Sequence, residues 1–500
     1  MPYLLGLDVG TTNAKAVLYD LEGRMRALAS TPTPLTEAGP GQATRDPEQL
    51  YQAAIGVIRQ ATAQVEPSEV LALSVSSMGE AGAPLDRRGE PVYPIIAWYD
   101  RRTLPYRQWW QSHFGDDRLF AICGLQPGHI YSLNKIMWLR DHEPASFRRL
   151  ALWLSVSDYV AYRLSGVPAM SYPQACRTMA LDLHTLDWSE ELLAAAQVPR
   201  DLFPRLVPSG EALGTLRPEA AEACGLPRST IVAAGGHDHI CAAVAAAVTQ
   251  PGAMLDSIGT TEAAMAVLER PRSEPAVRAL GLSCGAHAAP GRYYLIGGLL
   301  GIGPLLTWLV EALLELPPGE EGYAALTEAA KASPPGARGL YLLPFLAGAG
   351  SPEQDPRATG ALLGLRLHHT RSDLARAALE GVCYELRRLL ESLHALTPGG
   401  EDVLRAVGGG ARNPFWLQLR ADVTGHTVEM PEGTERAALG AALLGGVAAG
   451  VYRSVEEAAT SAYRLAQVYR PDAQAHQEYS TRYEQTYRRL HQAALLVTAE

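Results

Sequence analysis

An α/β fold built as two domains is predicted by three observations. The chain's 500 residues exceed the ~250–300 at which single hydrophobic cores stop growing. Strand-like runs alternate with helical periodicity along most of its length instead of segregating into blocks. One short pattern also occurs twice: Leu7-Asp8-Val9-Gly10-Thr11-Thr12 near the start, and Leu255-Asp256-Ser257-Ile258-Gly259-Thr260-Thr261 midway, with one extra residue before the second glycine. Each copy follows an apolar strand and opens one half of the chain, which reads as a duplicated domain. Composition places the boundary near residues 249–252, giving domains over 1–248 and 249–470 and a C-terminal helix over 471–500.

The elements follow in order. Tyr3–Val9 is apolar and strand-like, Gly10-Thr11-Thr12-Asn13 turns, and residues 14–19 return as a second strand, making a hairpin. Residues 49–64 have helical periodicity, and 70–76 form a short buried-strand pattern ending in Ser76-Ser77. Between 104 and 228, helical segments are punctuated by Pro and Gly and carry Trp109, Trp110, Trp138 and Trp153. The apolar run 229–236 stops at His237-Asp238-His239. The second half has strands near 253–258, 280–284 and 293–296, then a helix from Pro304. A long helix Arg371–Leu396, a strand Val403–Val407, helices over 414–425 and 435–449, and a polar helix from Ala473 complete it.

Composition removes several function classes. Forty-three basic and 53 acidic residues leave a net charge of −10, which argues against a general nucleic-acid binder. Lys15, Lys135 and Lys331 are the three lysines, so arginine supplies nearly all the positive charge. The six cysteines are scattered without a CxxC pair, against a structural zinc site or a disulfide framework and in favour of a reducing compartment. Asp8 interrupts the first apolar run, and no stretch reaches the ~18–20 apolar residues of a membrane span. A cytoplasmic protein without a membrane partner is expected.

Three segments carry chemistry. A Gly-Thr-Thr turn between two strands presents backbone N–H groups and hydroxyls to an anion, and Asp8 just before it suits a Mg²⁺ ion held through water. Gly408-Gly409-Gly410-Ala411-Arg412-Asn413 stands at a strand-to-helix corner, leaving room for a flat ligand beside helix N-terminal amides. His237-Asp238-His239 suits a metal site, a catalytic base or a surface turn. Were the strand to continue, the two histidines are expected to point to opposite sides, which weakens the metal reading.

In chain order these segments resemble the FGGY carbohydrate kinases, the family of glycerol kinase, xylulokinase and gluconate kinase within the wider actin, Hsp70 and hexokinase ATPase superfamily. The likeness covers roughly residues 3–450. Gly6–Thr12 with Lys15 is similar to the first phosphate loop, and Trp98-Tyr99-Asp100-Arg101-Arg102-Thr103 to a W-x-D-x-R-T stretch. Gly236-His237-Asp238 resembles the segment of the catalytic base, and Ser257-Ile258-Gly259-Thr260 the second phosphate loop. Gly360–Leu365 with Leu379-Glu380-Gly381 matches the C-terminal signature, and Gly408–Asn413 with Trp416, Gln418 and Asp422 the adenosine segment. The resemblance implies two ribonuclease H-like domains flanking a catalytic cleft, with ATP and Mg²⁺ as cofactors. It implies Asp238 as general base and Asp8 as the Mg²⁺ residue. Thr11, Thr12, Asn13, Lys15, Gly259 and Thr260 would line the phosphates, and Gly303, Gly409, Gly410 and Asn413 the nucleoside. Glu80, Asp100 and His239 would face the sugar. The partner implied is a small sugar or polyol, with a homodimer left open.

The chain departs from the family on the substrate side. Gly259-Thr260-Thr261-Glu262 replaces the frequent G-T-S-G and adds an acid near the cleft, His239 follows the base, and residues 76–81 lack the pairs typical of xylulokinases and glycerol kinases. Glu80, His239 and Glu262 are expected to converge on the ligand, which suits neutral hydroxyls. An aldonate would want an arginine fork, with Arg101 or Arg102 as the local candidate. A ketose or polyol of about three to six carbons is therefore expected. The competing readings are an actin- or Hsp70-like ATPase, which has no need of the W-x-D-x-R-T and base segments, and a regulatory pseudokinase, against which Asp8 and Asp238 both speak.

Overall fold

The computed structural model describes residues 1–259, 261–397, 399–400 and 402–498; the Thr260 expectation falls outside them. Among the described residues the N-terminal half carries one large sheet. Its strands are β1 (Tyr3–Val9), β2 (Asn13–Asp20), β3 (Met25–Pro32), β4 (Val70–Ser77), β5 (Ala212–Thr215) and β6 (Ile231–His237), in the order β5-β6-β4-β1-β2-β3. The expected hairpin is present and extends into β3, an antiparallel meander, while β4 and β6 run parallel to β1.

The second half repeats this plan. Its strands are β7 (Met254–Ile258), β8 (Glu262–Leu268), β9 (Ser283–Ala286), β10 (Tyr293–Leu299), β11 (Val403–Val407), β12 (Thr427–Pro431) and β13 (Leu465–Tyr469), ordered β9-β10-β8-β7-β11-β12-β13. Again a meander (β7, β8, β10) is followed by two strands parallel to its first member. The six-residue echo in the sequence thus marks the first strand and turn of two copies of one ribonuclease H-like topology.

Helices cover the sheets and join them: α1 (Pro47–Thr62), α2 (Val156–Ser165), α3 (Asp238–Ala245), α4 (Ile302–Trp308), α5 (Glu320–Lys331), α6 (Arg371–Leu396), α7 (Pro414–Thr424) and α8 (Arg436–Ala448). Asp46 caps α1 by accepting the N–H groups of Glu48 and Gln49, with Pro47 in the first turn. Although α8 comes late in the chain, it lies on β1 and β4, and with α3 it forms a buried cluster joining Leu4 and Ala72 to Leu255 and Val407. The two helices cross so closely that a β-carbon on Gly440 would stand 1.8 Å from the Cys241 carbonyl oxygen, and α8 lies so close on β1 that one on Gly6 would stand 1.7 Å from that of Ala438. Overpacking of a core typically costs ~1–3 kcal/mol, and the obstruction here is backbone. Gly440→Ala is accordingly expected to lower the unfolding free energy read from urea denaturation by at least that much; an unchanged midpoint would mean that the crossing is slack.

The helical stretch after β4 does not belong to the first core alone. Phe120 and Leu183 share one buried cluster with Cys284 and Leu295, and Gly124 accepts the Cys284 N–H at 2.7 Å. The tail is helical through residues 473–498, and its polar composition conceals one apolar stripe: Tyr479, Tyr483 and Tyr487, four apart, are buried around Tyr384. All six cysteines are buried and unpaired. No helix among the described residues is long and apolar enough to cross a membrane.

Candidate active site

Three parallel strands of the first sheet end side by side, because Val9, Ser77 and His237 share one register. The carboxyl ends of parallel strands are where open α/β sheets bind ligands. Asp8, one residue before the end of β1, accepts the Ser76 hydroxyl at 2.7 Å. Burial, and then the charge of Asp238, push its carboxyl up to about 7. Asp238 opens α3, and burial raises its carboxyl too, against the pull of His239. Two carboxyls that disfavour one another's ionisation make an all-oxygen donor set that a hard divalent cation would relieve. The residues present therefore fit Mg²⁺.

The sequence expectation that His237 and His239 would diverge on a continuing strand is corrected on two counts: residues two apart on a strand share a face, and this strand does not continue past His237. The strand stops at His237, which takes the N-cap position, so His239 lies on the first turn of α3 with its ring centroid 5.2 Å from that of His237. Asp238 Oδ1 accepts the His239 backbone N–H at 2.7 Å and lies 3.2 Å from His237 Nε2. Burial holds His237 well below the usual histidine range; as a neutral ring it can donate Nε2–H to Asp238 and orient it. One ligand atom from each of these three residues lies within 4.8 Å of the others, so the metal reading regains its geometry.

The first phosphate loop is braced from below. Trp98 donates Nε1–H to the Thr11 hydroxyl at 3.1 Å, while the buried Arg45 donates to the carbonyls of Thr11, Thr33 and Pro34. Thr12 accepts the Thr33 N–H, and Asn13 closes the turn by accepting from Gly10. Lys15 does not stand free at this loop: it is paired at 2.7 Å with Glu435, the residue that precedes α8.

On the expected sugar side, Glu80 is buried with φ 62°, a left-handed conformation that a non-glycine residue adopts at a cost. Arg177 holds its carboxylate through Nε at 2.7 Å and through Nη2. A β-carbon on the adjacent Gly79 would meet the His237 ring at 3.0 Å and Arg177 at 3.1 Å, so glycine there lets the loop pass. Arg177 is absent from the sequence-derived site, since nothing near it in the chain marks it and only the fold carries it to Glu80. Asp100 departs from expectation: it is wholly buried, and its two oxygens accept from Arg102 side chain and backbone and from the Ala43 N–H. It anchors Arg102 and the strand Gln42–Arg45 instead of offering a free carboxylate.

The nucleoside-side glycines do converge. Gly259, Gly303, Gly409, Gly410 and Asn413 line one cavity of ≈ 1360 Å³ together with Trp308 and Trp416. Asn413 caps α7 through the Trp416 N–H at 3.2 Å and donates Nδ2–H to Thr327 on α5 at 2.8 Å. Glu262 is the second correction. It is fully buried away from the cleft, gripped by both terminal nitrogens of Arg420, which also holds Asp256. The extra residue before Gly259 accounts for the buried place of Asp256. Counted back from the glycine, Ser257 occupies the place of Asp8 and Asp256 that of Leu7, so alternation turns Asp256 into the core.

Comparison with known proteins agrees with this architecture. The family model described as "FGGY family of carbohydrate kinases, N-terminal domain" matches residues 3–245, and its C-terminal counterpart residues 254–449. The xylulose kinase of Escherichia coli is 32% identical over 99% of this chain and 100% of its own length. The gluconokinase of Bacillus subtilis is 28% identical, covering 92% and 91%. Among solved structures, the xylulose kinase of Rhodospirillum rubrum superposes with a TM-score of 0.91 at 29% identity over 100% of both chains.

Proposed function

Because the chain belongs to the FGGY family of carbohydrate kinases, and is thus an enzyme that phosphorylates a sugar or polyol with ATP, we propose that Asp238 is its general base and Asp8 its Mg²⁺ residue, and that its acceptor is a neutral ketose or polyol. The observation that carries the reading is the pair Asp8 and Asp238 at the carboxyl ends of β1 and β6, the two strands that flank β4. Phosphoryl transfer is mainly positioning and charge neutralisation. Asp238, oriented by His237, would take the proton of the acceptor hydroxyl, and the Gly10–Asn13 turn would present N–H groups and hydroxyls to the phosphates. Mg²⁺ would supply charge neutralisation at the transferring phosphate. Incubation with ATP, Mg²⁺ and a panel of ketoses, polyols and aldonates tests the proposal. Acceptor-dependent ADP release with a ketose or polyol is expected; release no greater than without acceptor would overturn it.

The charge of the acceptor turns on Glu80 and Arg177. Sequence reasoning looked to Arg101 or Arg102 for an arginine fork, whereas the arginine beside the base is Arg177, and its charge is already matched by Glu80. A paired arginine suits a neutral ligand that shares hydroxyl hydrogen bonds with the pair; an aldonate would have to displace Glu80. Glu80→Gln is expected to raise KM for the ketose much more than for ATP, because the site's polar groups lose their partner, and to improve the use of aldonates relative to wild type. A variant whose ratio of ketose to aldonate kcat/KM stays at the wild-type value would refute the assignment.

A further inference from the structure

Away from the cleft, at the amino ends of β11 and β12, three segments bring His394, Asp402 and His426 together. His394 lies in the last turn of α6, Asp402 just precedes β11, and His426 just precedes β12. One ligand atom from each lies within 4.8 Å of the others. His394 Nε2 is 3.9 Å from Asp402 Oδ1, and the two imidazole centroids are 4.9 Å apart. The two histidines border a cavity of ≈ 500 Å³.

Two observations set this cluster apart from a chance meeting of polar side chains. Nε2 of both histidines is buried without a hydrogen-bond partner, and His426 is only 9% exposed. Buried polar atoms are nearly always satisfied, so an orphaned pair aimed at one cavity calls for a ligand. In addition, His426 Nδ1 lies 3.2 Å from the Thr424 carbonyl oxygen. That nitrogen then carries the proton and Nε2 the lone pair, the tautomer in which a backbone carbonyl holds a metal-binding imidazole. The other charges on the cavity wall are engaged: Arg387 donates to Glu391 and to the Val423 carbonyl, and Glu391 also accepts the Tyr483 hydroxyl.

We propose that His394, Asp402 and His426 form a binding site for a zinc-class divalent cation that ties the end of α6 to the starts of β11 and β12. Two imidazoles and one carboxylate favour a borderline ion over Mg²⁺ or Ca²⁺, which take oxygen ligands. Ligand bonds of ~2.0–2.2 Å require the three atoms to draw closer, which the solvent-exposed Asp402 can do by rotation. The fourth position would face water. The five residues of β11 at ~3.3 Å each separate this site from the Gly408–Asn413 segment at the other end of the strand, so the cation is distinct from the catalytic one.

The test uses the full chain, stripped with chelator, then dialysed against Zn²⁺ in excess Mg²⁺ and analysed for bound zinc. Because the His237-Asp238-His239 cluster can also take zinc, the readout is the difference between proteins. His394→Gln, at a half-buried position, and Asp402→Asn, at an exposed one, should each retain about one equivalent less than wild type. Zn²⁺ should also raise the Tm of wild type by more than that of either variant. Equal zinc content and equal thermal response in wild type and both variants would overturn the proposal.

Discussion

Asp238→Asn should lower kcat by about 10²–10⁴, the usual contribution of a positioned base, while KM for ATP stays near its wild-type value. The amide keeps the shape of the carboxylate, and its oxygen can still accept the His239 N–H that Asp238 accepts at 2.7 Å. What disappears is proton affinity. The raised Asp238 carboxyl must lose its proton before it can act, so wild-type activity should fall on the acid side of the pH–rate profile, and that limb should be missing from the variant's residual rate. The limb belongs to Asp8 and Asp238 jointly, since Asp8 feels the charge of Asp238. Removing that charge should ease ionisation of Asp8 and leave the Mg²⁺ requirement intact or slightly tighter. A variant that phosphorylates at close to the wild-type rate would remove Asp238 from the role of base.

The sequence carried most of the nucleotide side and less of the acceptor side, for a physical reason. Contacts to phosphates and a flat base suit backbone at glycine-rich turns, where conformation demands particular residues in consecutive positions. Gly259, Gly303, Gly409, Gly410 and Asn413 could therefore be picked out one stretch at a time, and they line one cavity. The acceptor side is assembled from long-range side-chain pairs. Glu80 was legible and Arg177, 97 positions later, was not. Asp100 looked like a free acid because the sequence cannot show that Arg102 folds back on it. The opposed histidines failed on geometry and at a boundary: residues two apart on a strand share a face, and β6 ends at His237, so the first turn of α3 sets the place of His239. The duplication was readable as a motif, but the role of its inserted residue required the register of β7.

That inserted residue leads to the largest stability effect expected. Asp256, Glu262 and Arg420 are each fully buried, with one guanidinium for two acids. Burial, and then the charge of Glu262, push the Asp256 carboxyl up to about 8, so the triad is neutral when Asp256 keeps its proton. Arg420 also stacks on Trp416 at 4.3 Å, joining the triad to the wall of the glycine-lined cavity. Arg420→Met keeps most of the volume but strands a buried carboxylate, a change that typically costs ~3–5 kcal/mol. The sign with pH follows. Once Arg420 is gone, the stranded carboxyl prefers its protonated form in the fold; the folded state then binds more protons than the unfolded one, and stability falls as pH rises. The deficit relative to wild type should thus be smaller at pH near 5 than near 8, read from urea unfolding at each. The pair Arg420→Met with Glu262→Gln should recover part of the loss, because no second acid is left to ionise beside Asp256. A single variant that is as stable as wild type at both pH values would mean that the two acids are neutral without Arg420, and that the arginine is held for its packing on Trp416.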